Sequence, residues 1–331
     1  MQWLTAVRGE AGLIPSRLAR WRWLAGGAWA IACHSTVVRR AASVVAAVVA
    51  GTVVVVLAWH PGSTNPAVPV ERAGLIGTVV LLALLPWVLR PILGPVASNG
   101  AARRTRRFGY FGVYLLLLVI ALLSRFAGSR FDHFEAFDPG AWRADMRDGA
   151  WVSALLLAGL VGGYAVLVLA LTARRSALPP RVLTWATGLG AAAAVVLYAL
   201  MPLGNPRHLP SSGLQVAYEA VLIAVPIAAL VAVGPVAGRR FTAGVVGGLG
   251  AGATAAVVLA VLTLATMLLF PGQVALEWDN PSPLVAHGTP YEIRMSVGDA
   301  AIKYYLALMA GPIAGLMLGT VGGMTAKIRP R

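Results

Sequence analysis

Cysteine occurs once in this chain, as Cys33, so no intrachain disulfide and no cysteine-held metal cluster can form. Charge is scarce too: 12% of the 331 residues are charged and 58% are hydrophobic, where soluble globules carry about a quarter charged. So little polar surface cannot coat a soluble core, and lipid must be the main solvent. Aromatic residues make up only 8%; Ala, Val, Leu and Gly supply the apolar mass, which suits closely packed membrane helices. There is no Walker-type phosphate loop, metalloprotease His-Glu pair, nucleophile elbow or dinucleotide fingerprint. A self-contained ATPase is thereby excluded, and no nucleophile and base stand at an interpretable spacing, so no catalytic residue and no cofactor are expected. About the first thirty residues lack a compact apolar region ending in a small-residue cleavage site, so no removable signal peptide is expected.

What is present is a series of runs of about twenty apolar residues. They fall near 41–59, 74–96, 108–127, 151–173, 183–204, 214–236, 241–270 and 300–325. The expected fold is an all-α transmembrane bundle of about eight helices over residues 37–331, preceded by an interfacial basic segment at 1–36. The seventh run is long for one crossing, which leaves open whether it tilts, breaks or extends beyond the bilayer.

The formal charge of +15 reads as orientation rather than as nucleic-acid binding. Arg8, Arg17, Arg20, Arg22, Arg39 and Arg40 precede the first run, and Arg103, Arg104, Arg106 and Arg107 lie between the second and third. Arg174, Arg175 and Arg181, then Arg239 and Arg240, then Lys327, Arg329 and Arg331 follow on the same side. Every acid except Glu10 and Glu219 falls on the other side. The positive-inside rule then puts both termini in the cytoplasm of a bacterial plasma (inner) membrane. The connections 128–150 and 271–299 become long, acidic and aromatic external loops.

In the N-terminal segment Trp3, Trp21 and Trp23 are interleaved with Arg8, Arg17, Arg20 and Arg22. Indole rings favour the headgroup layer and arginines meet anionic lipid, so this stretch reads as an interfacial anchor broken near Pro15. The alternative reading is a docking site for a cytosolic regulator. The stretch from Trp3 to Glu10, followed by Pro15, Ser16 and Arg17 and then by Arg20 to Gly27, resembles the N-termini of uncharacterised multi-spanning membrane proteins of high-GC actinobacteria. The resemblance implies a bacterial plasma-membrane location and no specific activity.

Within the last run Gly311, Gly315, Gly319 and Gly323 recur every fourth residue. Gly244, Gly248 and Gly252 share that spacing in the seventh run. Such stripes let another backbone approach closely, so the two helices are expected to pack on each other or on a second protomer in a homo-oligomer. Pro86, Pro226 and Pro312 are expected to kink their spans and free backbone carbonyls.

Ionisable residues at membrane depth are the best site candidates, because an unpaired buried charge is costly. Glu219 and Lys303 lie at similar depth below the external ends of the sixth and eighth spans, and adjacent helices would let them pair. Tyr218, Tyr304 and Tyr305 are the nearby hydrogen-bonding groups, and Arg125 of the third span completes the cluster. Its two readings are structural pairing and a polar vestibule for a substrate or proton. His60, His133, His208 and His287 share no helical spacing, and Asp132, Glu135 and Asp138 match no calcium loop, so no metal site is assigned.

Together these features point to a transport component, either a carrier or a permease subunit requiring a separate ATPase. The alternative is a signalling or accessory protein that senses through its external loops and binds a cytosolic partner through its N-terminus.

Overall fold

The computed structural model describes residues 45, 48–56, 67–128, 139–175, 178–200, 211–237, 241–272 and 290–328. Contacts divide the chain into Met1–Ala50 and Gly51–Arg331. The few described residues of the first unit are helical; the interfacial anchor residues, Cys33 and every histidine lie outside the described residues. Everything below concerns the second unit.

That unit is all-helical. After a helical stretch that runs to residue 56 come α1 (Ala67–Val88), α2 (Arg90–Leu93), α3 (Gly100–Gly128), α4 (Pro139–Leu171), α5 (Pro180–Leu200), α6 (Ser212–Ala237), α7 (Phe241–Leu269) and α8 (Pro290–Ile328). Among the described residues, seven segments are long and apolar enough to cross a membrane: Ala67–Leu93, Gly100–Phe126, Asp148–Leu171, Pro180–Leu200, Gly213–Gly234, Phe241–Leu269 and Tyr305–Thr325. The protein is a multi-pass integral membrane protein. Of the first expected span, 41–59, residues 45 and 48–56 are described and helical.

The boundaries differ most from the sequence expectation at the starts of two helices. α4 begins at Pro139 and α8 at Pro290, so both helices run well into the stretches read as loops 128–150 and 271–299. A proline's fixed φ suits the first helical position, and the polar turns that follow it stay helical although a hydropathy scan sees only their apolar continuation. α7 is one unbroken helix of 29 residues, about 43 Å long at the α-helical rise. Its length is therefore accommodated without a break.

Successive crossings alternate in direction. The ends of α2 and α4 meet in an isolated bridge between Val96 and Ala173. It is flanked by the Ala97 N–H donating to the Thr172 carbonyl at 3.1 Å and the Arg174 N–H donating to the Pro95 carbonyl at 2.8 Å. The chain reaches this seam by turning at Gly94, whose φ of +80° is in the region that only glycine enters without strain. Asn99 then opens α3, its side-chain oxygen accepting from the Ala102 N–H at 2.6 Å. Arg103, Arg104, Arg174 and Arg175 gather at this basic end, while Glu71 and Asp148 lie toward the other, the acidic end.

α7 occupies the middle of the bundle, packing against α8, α5, α6 and α3, while α1 packs chiefly against α4. The main core joins Leu75, Val79 and Leu82 of α1 to Leu116, Leu117 and Leu123 of α3, Val161 and Tyr164 of α4, Leu264 and Met267 of α7 and Leu308 of α8. Outward positions such as Phe108, Phe111, Leu155, Ile223 and Met317 are exposed and apolar, as lipid-facing surface requires.

Candidate functional site

Glycines of α7 and α8 bring the two helix backbones close together. Gly248 of α7 lies on Gly315 and Gly319 of α8, and a Cβ built on it would fall 2.5 Å from the Gly319 Cα. Gly252 meets Gly315 in the same way at 2.8 Å, and Gly244 meets Gly323 at 2.8 Å. On the other side of the seam Cβ atoms on Gly315 and Gly319 would lie 2.9 and 2.8 Å from the Cα atoms of Gly252 and Gly248, and one on Gly311 would lie 2.5 Å from the Ala256 Cβ. The two stripes face each other within one chain. α6 joins α8 by the same device one residue along, with Gly234 against the backbone of Gly322.

At Pro312 the seam acquires a polar latch. A proline has no N–H, so the carbonyl four residues earlier, that of Leu308, loses its helical donor. The Tyr164 hydroxyl of α4 donates to that carbonyl at 2.6 Å in a buried position. A buried carbonyl needs such a partner, because lipid offers none. The latch therefore ties α4 to α8 one turn before Pro312. Sequence reading located the proline but not its partner, since only the fold says which tyrosine reaches it.

The residues expected at the acidic end are distributed differently from one another. α6 and α8 do pack together, but Glu219 is exposed on α6. Tyr218 is half-buried and its hydroxyl donates to the Leu200 carbonyl at 2.8 Å, joining α6 to the end of α5. Lys303 and Tyr304 lie on α8 one to two residues before Tyr305, and their side chains are outside the described set. Arg125 is exposed at the end of α3.

Tyr305 is the residue the fold draws inward at this end. Its hydroxyl lies near Ser124 of α3 and within electrostatic range of Glu71 of α1. All three side chains are half-buried. Three helices distant in sequence thus place a carboxylate, a phenol and a hydroxyl together near one bundle end. Elsewhere in the bundle Tyr198 of α5 and Thr266 of α7 pair their hydroxyls at 2.7 Å. Sequence reading placed Glu71 on the external surface and passed over Ser124, because a lone serine in an apolar run carries no signal of its own.

No family model, curated protein or solved structure matches this chain.

A second polar group occupies the basic half of α3. Arg106, Tyr110 and Tyr114 recur every fourth residue and so share one face. All three are half-buried, and Tyr110 is within electrostatic range of both Arg106 and Tyr114. The hydroxyls of Tyr110 and Tyr114 are shielded from solvent and have no hydrogen-bond partner in the structure. Leu117, next on that face, is fully buried, and Ser124 lies about two turns further on. The face therefore carries polar groups toward each end and an apolar barrier between them. Among the described residues no three His, Cys, Asp or Glu side chains stand together as a metal site would need.

Proposed function

We propose that the protein is a transport component of a bacterial plasma membrane, either a carrier or a permease subunit served by a separate ATPase. The supporting observation is the convergence of Glu71, Ser124 and Tyr305 from three helices at the acidic end. Polar side chains that face a bundle interior mark solute or proton pathways more often than lipid contacts. In this reading the cluster is a vestibule open to the external side, Leu117 closes the way inward, and the glycine seam lets α8 move against α7. Lys303 and Tyr304 precede Tyr305 on the same helix, and Arg125 follows Ser124 on α3. The arginine distribution supports cytoplasmic termini.

Single-cysteine labelling tests the vestibule. With Cys33 replaced by serine, E71C and S124C are expected to react with a membrane-impermeant maleimide added outside intact cells, and L117C is expected to stay unlabelled. Protection of E71C and S124C would reduce the cluster to a structural pairing and remove the basis for transport.

A second reading rests on the arginine- and tryptophan-rich segment before residue 36, which suits capture of a cytosolic regulator. Mass spectrometry of proteins that co-purify in mild detergent separates the two: a stoichiometric ATPase is expected for a permease subunit, a regulator for a signalling protein.

A further inference from the structure

The arginines at 103, 104, 106 and 107 read as one block of charge in the sequence, and the fold divides them. Arg103 is held locally, its guanidinium donating to the Ser98 carbonyl at 3.1 Å. Arg106 is half-buried on the face of Tyr110 and Tyr114. Arg104 and Arg107 are exposed, and the rings of Phe108 and Phe111 beside them are 73% and 65% exposed. These four positions follow the spacing i, i+3, i+4, i+7, so they form a single stripe down the outside of α3. Two cations stand at its top and two bare aromatic rings below them.

The stripe crosses the edge of the bilayer. The segment Gly100–Phe126 has 27 residues, about 40 Å at the helical rise, whereas the hydrocarbon layer is about 30 Å thick. Counted back from Phe126, about twenty residues fill that layer and reach Arg107. Arg104 and Arg107 therefore lie at headgroup level, while Phe108 and Phe111 lie beside acyl chains. Side chains three apart on a helix start about 5–6 Å from each other, close enough for two guanidiniums to grip one phosphate with forked hydrogen bonds. The segments 90–107 and 171–181 that make this end contain no acid, so neither supplies a carboxylate for these arginines.

We propose that the outer stripe of α3 binds an anionic phospholipid, its phosphate between Arg104 and Arg107 and its acyl chains along Phe108 and Phe111. Headgroup selectivity follows from charge, since a zwitterionic lipid would bring a third cation to the pair of arginines. The site is independent of whether the protein transports anything.

Native mass spectrometry of the purified full chain, given equal amounts of phosphatidylglycerol and phosphatidylcholine, reads which lipid stays bound. The wild type should retain phosphatidylglycerol in preference. R104Q/R107Q should bind it about thirtyfold more weakly, from about fivefold for each arginine at an anionic surface. R174Q/R181Q removes the same charge from exposed positions at the same end but off the stripe, and it should bind as the wild type does. No preference in the wild type, no loss in R104Q/R107Q, or equal losses in the two double variants would overturn the site and leave a diffuse basic surface open to any anion or to a cytosolic protein. Both double variants change exposed side chains and should fold; if R104Q/R107Q does not, R104Q and R107Q decide singly, each with about a fivefold loss expected.

Discussion

Replacing Gly248 with leucine is expected to abolish recovery of folded protein, and even Gly248→Ala should lower stability measurably. A Cβ at this position would overlap the Gly315 carbonyl and come within 2.5 Å of the Gly319 Cα. Both are backbone atoms, so no rotamer change relieves the clash, and the axes of α7 and α8 must separate. Overpacking of this kind costs about 1–3 kcal/mol where side chains can yield. Against backbone, the alanine should fall at the upper end of that range and the leucine beyond it. Separation also forfeits the close contact that holds membrane helices together where no hydrophobic drive operates between them. The matched control is Gly188→Ala in α5, where a Cβ would meet nothing within 4 Å. There the higher helix propensity of alanine should leave stability unchanged or improve it by up to about 1 kcal/mol. Gel-filtration profiles of detergent extracts heated in steps measure all three variants. Equal behaviour of Gly248→Ala and Gly188→Ala would show that the seam is not tight.

Tyr164→Phe should destabilise the bundle by about 1.5 kcal/mol, near the maximum measured for interhelical hydrogen bonds in membranes. The typical value is lower because a freed group finds another partner. Here the Leu308 carbonyl has none within its helix, since the residue four positions later is Pro312. The argument makes a sharper prediction in combination. Pro312→Ala supplies an N–H to the same carbonyl, so Tyr164→Phe should cost much less in that background than in the wild type. A coupling of about 1 kcal/mol between the two substitutions is expected from a double-mutant cycle on thermal unfolding. Strict additivity would mean that the hydroxyl and the proline act independently, and the latch would be discarded. If the latch also restrains α8 during transport, Tyr164→Phe should increase labelling at S124C, which the same maleimide assay reads.

Membrane residence and helical class are determined by the sequence itself, because they depend on sums along the chain: few charges, and apolar runs long enough to span hydrocarbon. The glycine stripes belong to the same category, since a spacing of four is a property of one helix. The limits of the helices are less fully determined. A hydropathy scan ends where polar residues begin, yet α4 and α8 continue through polar turns opened by Pro139 and Pro290.

What meets across helices was decided only by tertiary structure. Sequence depth suggests Glu219 and Lys303 as partners, with the Lys303 side chain outside the described residues; depth fixes one coordinate and leaves rotation about each helix axis free. It is that rotation that turns Glu219 outward, sends the Tyr218 hydroxyl to Leu200 and brings Ser124 to Tyr305. Likewise Pro312 announces an orphaned carbonyl in any chain, while the choice of Tyr164 to meet it depends on how α4 lies beside α8. One-dimensional patterns fix what each helix needs, and three-dimensional packing fixes which neighbour supplies it.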